Sequence, residues 1–162
     1  MVIRRATKED GKELLALINA LADFEKLRRP NLQARKRLLR DAFGKRKRFT
    51  SFLAEINGKS AGYAIVLETY SSFLALPTLY LEDIFVLPEF RKQKVGLRLL
   101  LRCVREAQRR GCGRMEWMVL DWNVGAIRFY KKLRARRLDQ WLPFRLDRKD
   151  FFRLLRRSPG TY

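Results

Sequence analysis

The sequence predicts a mixed α/β domain whose early strands are joined by a hairpin and whose later strands are joined by helical crossovers. Three observations predict it. Apolar residues recur at helical spacing through Leu14, Leu15, Leu17, Ile18 and Leu21. Two strand-like stretches, Thr50 to Ile56 and Ser60 to Tyr70, flank Asn57-Gly58, a pair that favours the two-residue hairpin turn. A further strand, Thr78 to Leu87, passes through Pro88 and a basic turn into a long amphipathic helix.

The elements follow in order. Residues 2–6 read as a strand, and Thr7 as a helix N-cap with Asp10 three residues on in a capping-box role. That helix extends to about Lys26, and Pro30 breaks it. Asn31 caps a second, very basic helix ending near Phe43, with Leu32, Leu38, Leu39 and Phe43 as its apolar set. Pro77 closes the loop before the third strand. Strict alternation there places Tyr80, Glu82, Ile84 and Val86 on one face and Leu79, Leu81, Asp83 and Phe85 on the other. In the long helix, Leu97, Leu100, Leu101, Val104 and Ala107 line one side, opposite Arg98, Arg102, Glu106 and Arg109, and Gly111 or Gly113 ends it. Met115 to Leu120 reads as a strand, Val124 to about Leu133 as a helix, Trp141 to Leu146 as a strand and Asp150 to Arg156 as a short helix. No internal repeat or interdomain linker interrupts this order, so a single domain over residues 1–162 is expected.

Composition narrows the function classes. Hydrophobic residues at 47% and aromatics at 12% exclude a disordered polyelectrolyte, despite a net charge of +20. No apolar run approaches the roughly 18 residues that span a bilayer. Met1-Val-Ile-Arg-Arg lacks the apolar core of a secretory signal, so a cytoplasmic protein is expected. Two cysteines, Cys103 and Cys112, make neither a disulfide framework nor a four-ligand metal site, and no metal is expected. Histidine is absent, which removes serine–histidine and cysteine–histidine nucleophiles, HExxH zinc sites and any imidazole base. Proton chemistry must then use carboxylate, tyrosine, lysine, cysteine or water. The basic residues are spread along the chain, which predicts salt-sensitive, non-specific attraction to nucleic acid.

The informative stretch is Leu79-Tyr-Leu-Glu-Asp-Ile-Phe-Val-Leu-Pro-Glu-Phe-Arg-Lys-Gln-Lys-Val-Gly-Leu-Arg. A strand turning into a helix leaves the first helical N–H groups unpaired, with the positive end of the dipole behind them. That arrangement suits a pyrophosphate. Gly96 allows close backbone approach, and Arg91, Lys92 and Lys94 add positive charge.

The same residues resemble motif A of the GCN5-related N-acetyltransferases, Arg/Gln-x-x-Gly-x-Gly/Ala after a central strand. Arg91 and Gly96 match its ends, while Lys94 stands where the first glycine is expected. The resemblance narrows to the spermidine/spermine acetyltransferase-like branch. Leu79-Tyr-Leu-Glu-Asp-Ile-Phe-Val86, Asp121-Trp-Asn123 and Phe129-Tyr-Lys-Lys-Leu-Arg-Ala135 are similar to three of its blocks, in the same order. Arg134 replaces the usual glycine after the tyrosine helix. The resemblance runs from about Val2 to Leu146. It implies an α/β (α+β) fold with a central, mostly antiparallel sheet and flanking helices.

It also implies a site. Ile84, Phe85 and Val86 would offer backbone groups to the pantetheine arm of acetyl-CoA. Arg91, Lys92, Gln93, Lys94, Val95, Gly96 and Leu97 would cradle its pyrophosphate. Asn123, Val124, Gly125 and Ala126 would contact the lower cofactor, and Tyr130 would stand beside the thioester sulfur. An amine attacks a thioester only when neutral, yet a free alkylamine titrates near roughly 10. Glu82, directly or through a water, is the candidate base, with Tyr130 as proton donor to the leaving thiolate. Direct transfer in a ternary complex is implied. Glu25, Glu82 and Asp83 are the candidate acceptor-binding residues. After Glu25, however, the chain has Lys26, Arg28, Arg29 and Pro30 where the family places acids, which argues against spermine. The acceptor is expected to be a small primary amine, whether diamine, polyamine or amino-acid-like. Two alternatives stand beside this: acetylation of a protein N-terminus or lysine, and a basic nucleic-acid-associated module without turnover. A homodimer is what the resemblance implies for assembly.

Overall fold

A computed structural model describes residues 1–156. The chain divides into two compact units, Met1–Met118 and Val119–Tyr162.

The first unit holds five strands in the order of the chain: β1 (Val2–Arg5), β2 (Thr50–Ile56), β3 (Lys59–Ser71), β4 (Leu76–Val86) and β5 (Arg114–Glu116). The first four pair antiparallel, and β5 runs parallel to β4. Helices α1 (Gly11–Phe24), α2 (Leu32–Phe43) and α3 (Val95–Arg109) complete it. The mixed, mostly antiparallel sheet with flanking helices is the architecture expected. The hairpin forms at Asn57-Gly58, where φ values of 50° and 74° give the left-handed pair that such a turn requires. Asp10 accepts hydrogen bonds from the Thr7 N–H at 2.7 Å and hydroxyl at 3.0 Å, and one helical turn of 3₁₀ type leads into α1. Asn31 Oδ1 caps α2 by accepting from the Ala34 N–H at 2.9 Å.

The alternation expected along β4 does not survive. Val66 pairs with Leu81 and Ile65 with Asp83, so Glu82 is an extra residue, a bulge that reverses the faces beyond it. Residues directly opposite in a sheet share a face. Leu79, Leu81 and Ile84 therefore lie with Glu68, Val66 and Ala64, while Asp83 and Phe85 lie with Ile65 and Tyr63. That second face is covered by α1, where Leu14 and Leu17 close a core with Leu53, Tyr63, Ile65 and Phe85.

Helix α3 is also rotated from the expected setting. It buries Val95, Leu99, Leu100, Cys103, Glu106 and Ala107, while Leu101 and Val104 stay 44% and 37% exposed. Glu106 turns inward because Arg102, Arg109 and Arg110 surround its carboxylate, at 3.4, 2.5 and 2.9 Å. Burial pushes the Cys103 thiol up to about 12, which leaves it an inert core residue. Gly111, at φ 67°, ends the helix.

The second unit contains α4 (Val124–Lys132) and α5 (Arg148–Leu155). The strand expected at Met115 to Leu120 is confined to β5. The strand expected at Trp141 to Leu146 does not form, and Trp141, Leu142 and Phe144 are 75%, 76% and 93% exposed. Pro143 has no N–H to give a ladder, and apolar alternation cannot make a strand without a neighbour to pair with.

Candidate active site

Three groups of expected site residues have definite places. The first is the loop after β4. Pro88–Phe90 forms a 3₁₀ turn, Arg91 is extended, and both Lys92 and Lys94 are left-handed at φ 61° and 62°. The lysine standing at the family's glycine thus adopts the glycine conformation, at a cost of about 1 kcal/mol. The first main-chain bond of α3 runs from the Arg98 N–H to the Lys94 carbonyl at 3.0 Å. The N–H groups of Val95, Gly96 and Leu97 precede any intrahelical acceptor and point out of the helix start. A Cβ on Gly96 would meet only Val86 Cγ2, at an ordinary 3.8 Å, so the protein's own packing does not demand a glycine there. An open helix start, a glycine with free space beside it and two exposed lysines fit a pyrophosphate.

The second group is acidic. The bulge at Glu82 delivers Asp83 to the α1 face, where the buried Tyr63 hydroxyl donates to Asp83 Oδ2 at 3.1 Å. Burial raises the Asp83 carboxyl to about 6, the Tyr63 hydrogen bond opposes the rise, and Glu82 and Glu25 add to it by charge repulsion. Glu25, at the C-terminal end of α1, is itself raised by burial. Tyr63 is pushed well above the usual phenol range by burial and then by Asp83, Glu25 and Glu82. Three carboxylates and a phenol therefore sense one another. Glu82 itself is exposed, not buried as its place in a central strand suggested, because a bulged residue leaves the ladder. Tyr63 was not foreseen, since only the register across β3 and β4 brings it to Asp83.

The third group lies in the second unit. Asn123 caps α4, its Oδ1 accepting from the Ala126 N–H at 3.2 Å. Val124, Gly125 and Ala126 form the first turn, and half-buried Tyr130 stacks against Phe129 with ring centroids 5.3 Å apart. The helix closes in a Schellman motif, Ala135 N–H to the Tyr130 carbonyl at 3.1 Å, with Arg134 left-handed at φ 61°. Arg134 thus preserves the helix ending that glycine gives elsewhere.

The model of the acetyltransferase (GNAT) family matches residues 14–134. The chain belongs to this family. It is an acetyl-CoA-dependent N-acetyltransferase of the spermidine/spermine-like branch. A mouse thialysine N-epsilon-acetyltransferase is 34% identical over 156 residues, covering 90% of this chain and 91% of its own. A human spermidine/spermine N(1)-acetyltransferase-like protein is 32% identical over 158 residues, 91% of this chain and 23% of its own length. An aminoglycoside N-acetyltransferase solved with CoA superposes with a TM-score of 0.74 at 22% identity, covering 90% of this chain and 93% of its own, which shows the shared fold.

Proposed function

We propose that this acetyltransferase moves the acetyl group from acetyl-CoA to a primary amine of a small molecule, by direct attack in a ternary complex. The observation that carries the reading is the acidic group of Glu25, Glu82 and Asp83 in a chain of net charge +20. Three mutually repelling carboxylates in a protein this basic favour a cation brought from outside, which would relieve the repulsion. The mouse relative is named for thialysine, an amine of that kind, and the human one is a spermidine/spermine N(1)-acetyltransferase-like protein.

In this reading, backbone groups of Ile84, Phe85 and Val86 align the pantetheine arm. The loop Arg91 to Leu97 holds the pyrophosphate, and Asn123 to Ala126 contact the lower cofactor. Asp83 and Glu25 hold the acceptor's positive charge. Glu82, free in its bulge, takes the proton of the attacking amine directly or through a water. The nitrogen bonds to the thioester carbon, the carbon–sulfur bond breaks, and the Tyr130 hydroxyl protonates the thiolate. The family match crosses the boundary between the units, which supports one catalytic domain over residues 1–162. Homodimer formation and a cytoplasmic site belong to the same proposal; no helix among the described residues is long and apolar enough to cross a membrane.

Calorimetric titration with acetyl-CoA at moderate salt, with ATP as control, tests the cofactor site. Saturable micromolar binding that prefers acetyl-CoA is expected, and equal binding of both polyphosphates would overturn the reading. Tyr130→Phe is expected to lower turnover about tenfold or more with a screened diamine; unchanged turnover removes Tyr130 from the reaction.

A further inference from the structure

Arg91 begins the phosphate loop, yet its side chain turns back. Its Nε donates to the Val86 carbonyl at 3.0 Å. Its guanidinium lies 4.8 Å from the Phe24 ring centroid and 5.6 Å from that of Phe85. The two rings are themselves 6.0 Å apart at a tilt of 50°. Phe24 is the last residue of α1, and Glu25 follows it directly. There α1 closes in a Schellman motif, Leu27 N–H to the Ala22 carbonyl at 2.8 Å, with Lys26 left-handed at φ 57°. One planar cation therefore ties three things together: the end of β4, the start of the loop and the end of α1 that presents Glu25.

We infer that Arg91 is a positioning residue that couples occupancy of the 92–97 loop to the acidic end of α1, so that acetyl-CoA and the acceptor amine bind cooperatively. The inference rests on the proposed cofactor and acceptor sites. A guanidinium fits this task because its flat face stacks on rings while its edge donates a directed hydrogen bond; an ammonium does only part of this. Any shift of the loop on binding phosphate moves Arg91, and Phe24 must follow. Such coupling is reciprocal, so the amine must tighten acetyl-CoA by the same factor.

Amide hydrogen exchange with and without saturating acetyl-CoA tests it in the full chain, Phe24→Leu and Arg91→Lys. Phe24→Leu leaves the loop and the Arg91 hydrogen bond in place while removing the ring on which the guanidinium lies. In the unaltered protein, acetyl-CoA is expected to slow exchange at residues 92–98 and at residues 23–27. In Phe24→Leu, protection at 92–98 persists and protection at 23–27 is lost; Arg91→Lys, which alters the loop itself, also loses protection at 23–27. With 1,4-diaminobutane as probe, the amine KM rises about fivefold in both variants, and in Phe24→Leu the acetyl-CoA KM measured at low amine is unchanged. Protection at 23–27 that survives in both variants, or that is missing from the unaltered protein while 92–98 is protected, overturns the coupling. No protection at 92–98 overturns the cofactor reading, and the coupling with it.

Discussion

Two carboxylates of the first unit, the half-buried Asp83 and the buried Glu106, have opposite surroundings. Glu106, 2% exposed, faces three arginines, and Arg109 leads the others in holding its carboxyl down at about 2. Asp83 faces a phenol and two further acids, and burial raises it to about 6. A buried charge with its counter-charges supplied inside the chain is a structural anchor: Arg110, 17% exposed, extends the Glu106 network to the Thr50 hydroxyl at 2.9 Å and ties α3 to β2. A buried charge left without a cation is held at a cost, and that cost is relieved when a ligand brings the cation. In the function proposed above, the contrast separates a residue kept for folding from one kept for binding, within one small sheet and its helices.

The comparison can be broken most directly at Glu106. Glu106→Ala strands Arg110 and is expected to destabilise the chain by about 3 kcal/mol in urea unfolding, with turnover per folded molecule unchanged. A loss under 1 kcal/mol would make the network ornamental. Asp83→Asn is expected to do the reverse. Stability at pH 7 holds or rises, while the amine KM increases about tenfold or more through loss of a charged hydrogen bond. An unchanged KM would remove Asp83 from the acceptor site.

Acidity sharpens the contrast further. Asp83 titrates near 6 in the folded chain and near 4 unfolded, so the folded state holds the extra proton between them. Stability from this group therefore falls as pH rises from about 4 to about 6, and Asp83→Asn should abolish that fall. Glu106 titrates at about 2 folded against 4.5 unfolded, so its stabilisation is complete above that higher value and is lost as pH drops toward the lower. Glu106→Gln should flatten that acid limb in urea midpoints measured across the range. The smallest effect concerns left-handed cations. Arg134→Gly and Lys94→Gly each relieve a positive φ and should stabilise by at most about 1 kcal/mol in thermal unfolding. Lys94→Gly should also change acetyl-CoA affinity, since it removes a charge from the loop.

Much of this was legible before any coordinates. The Asn57-Gly58 turn, the Asn31 and Asn123 caps, the long helix after Gly96 and the order of strands follow from local rules that need only neighbours in sequence. The failures share one cause. Trp141 to Leu146 alternates like a strand, but a strand exists only through a partner. Leu101 and Val104 look like core residues, but the buried side of α3 is set by how the helix packs on the sheet, where Leu99, Cys103 and Glu106 are buried instead. At Arg134 and Lys94 the chemistry argued against the glycine conformation, yet the surrounding hydrogen bonds impose it.

The sequence by itself determined most of the elements, their order and the family, because capping, turn chemistry and motif spacing act over a few residues. Only the tertiary structure decided that Glu82 leaves the ladder and that Asp83 meets Tyr63 beneath α1. It also decided that Glu106 is buried among arginines and that Arg91 reaches back to Phe24. The strand register sets the first two, the packing of α3 on the sheet sets the third and a long side chain crossing between elements the last, and a one-residue bulge that reverses a sheet face leaves no trace in local periodicity.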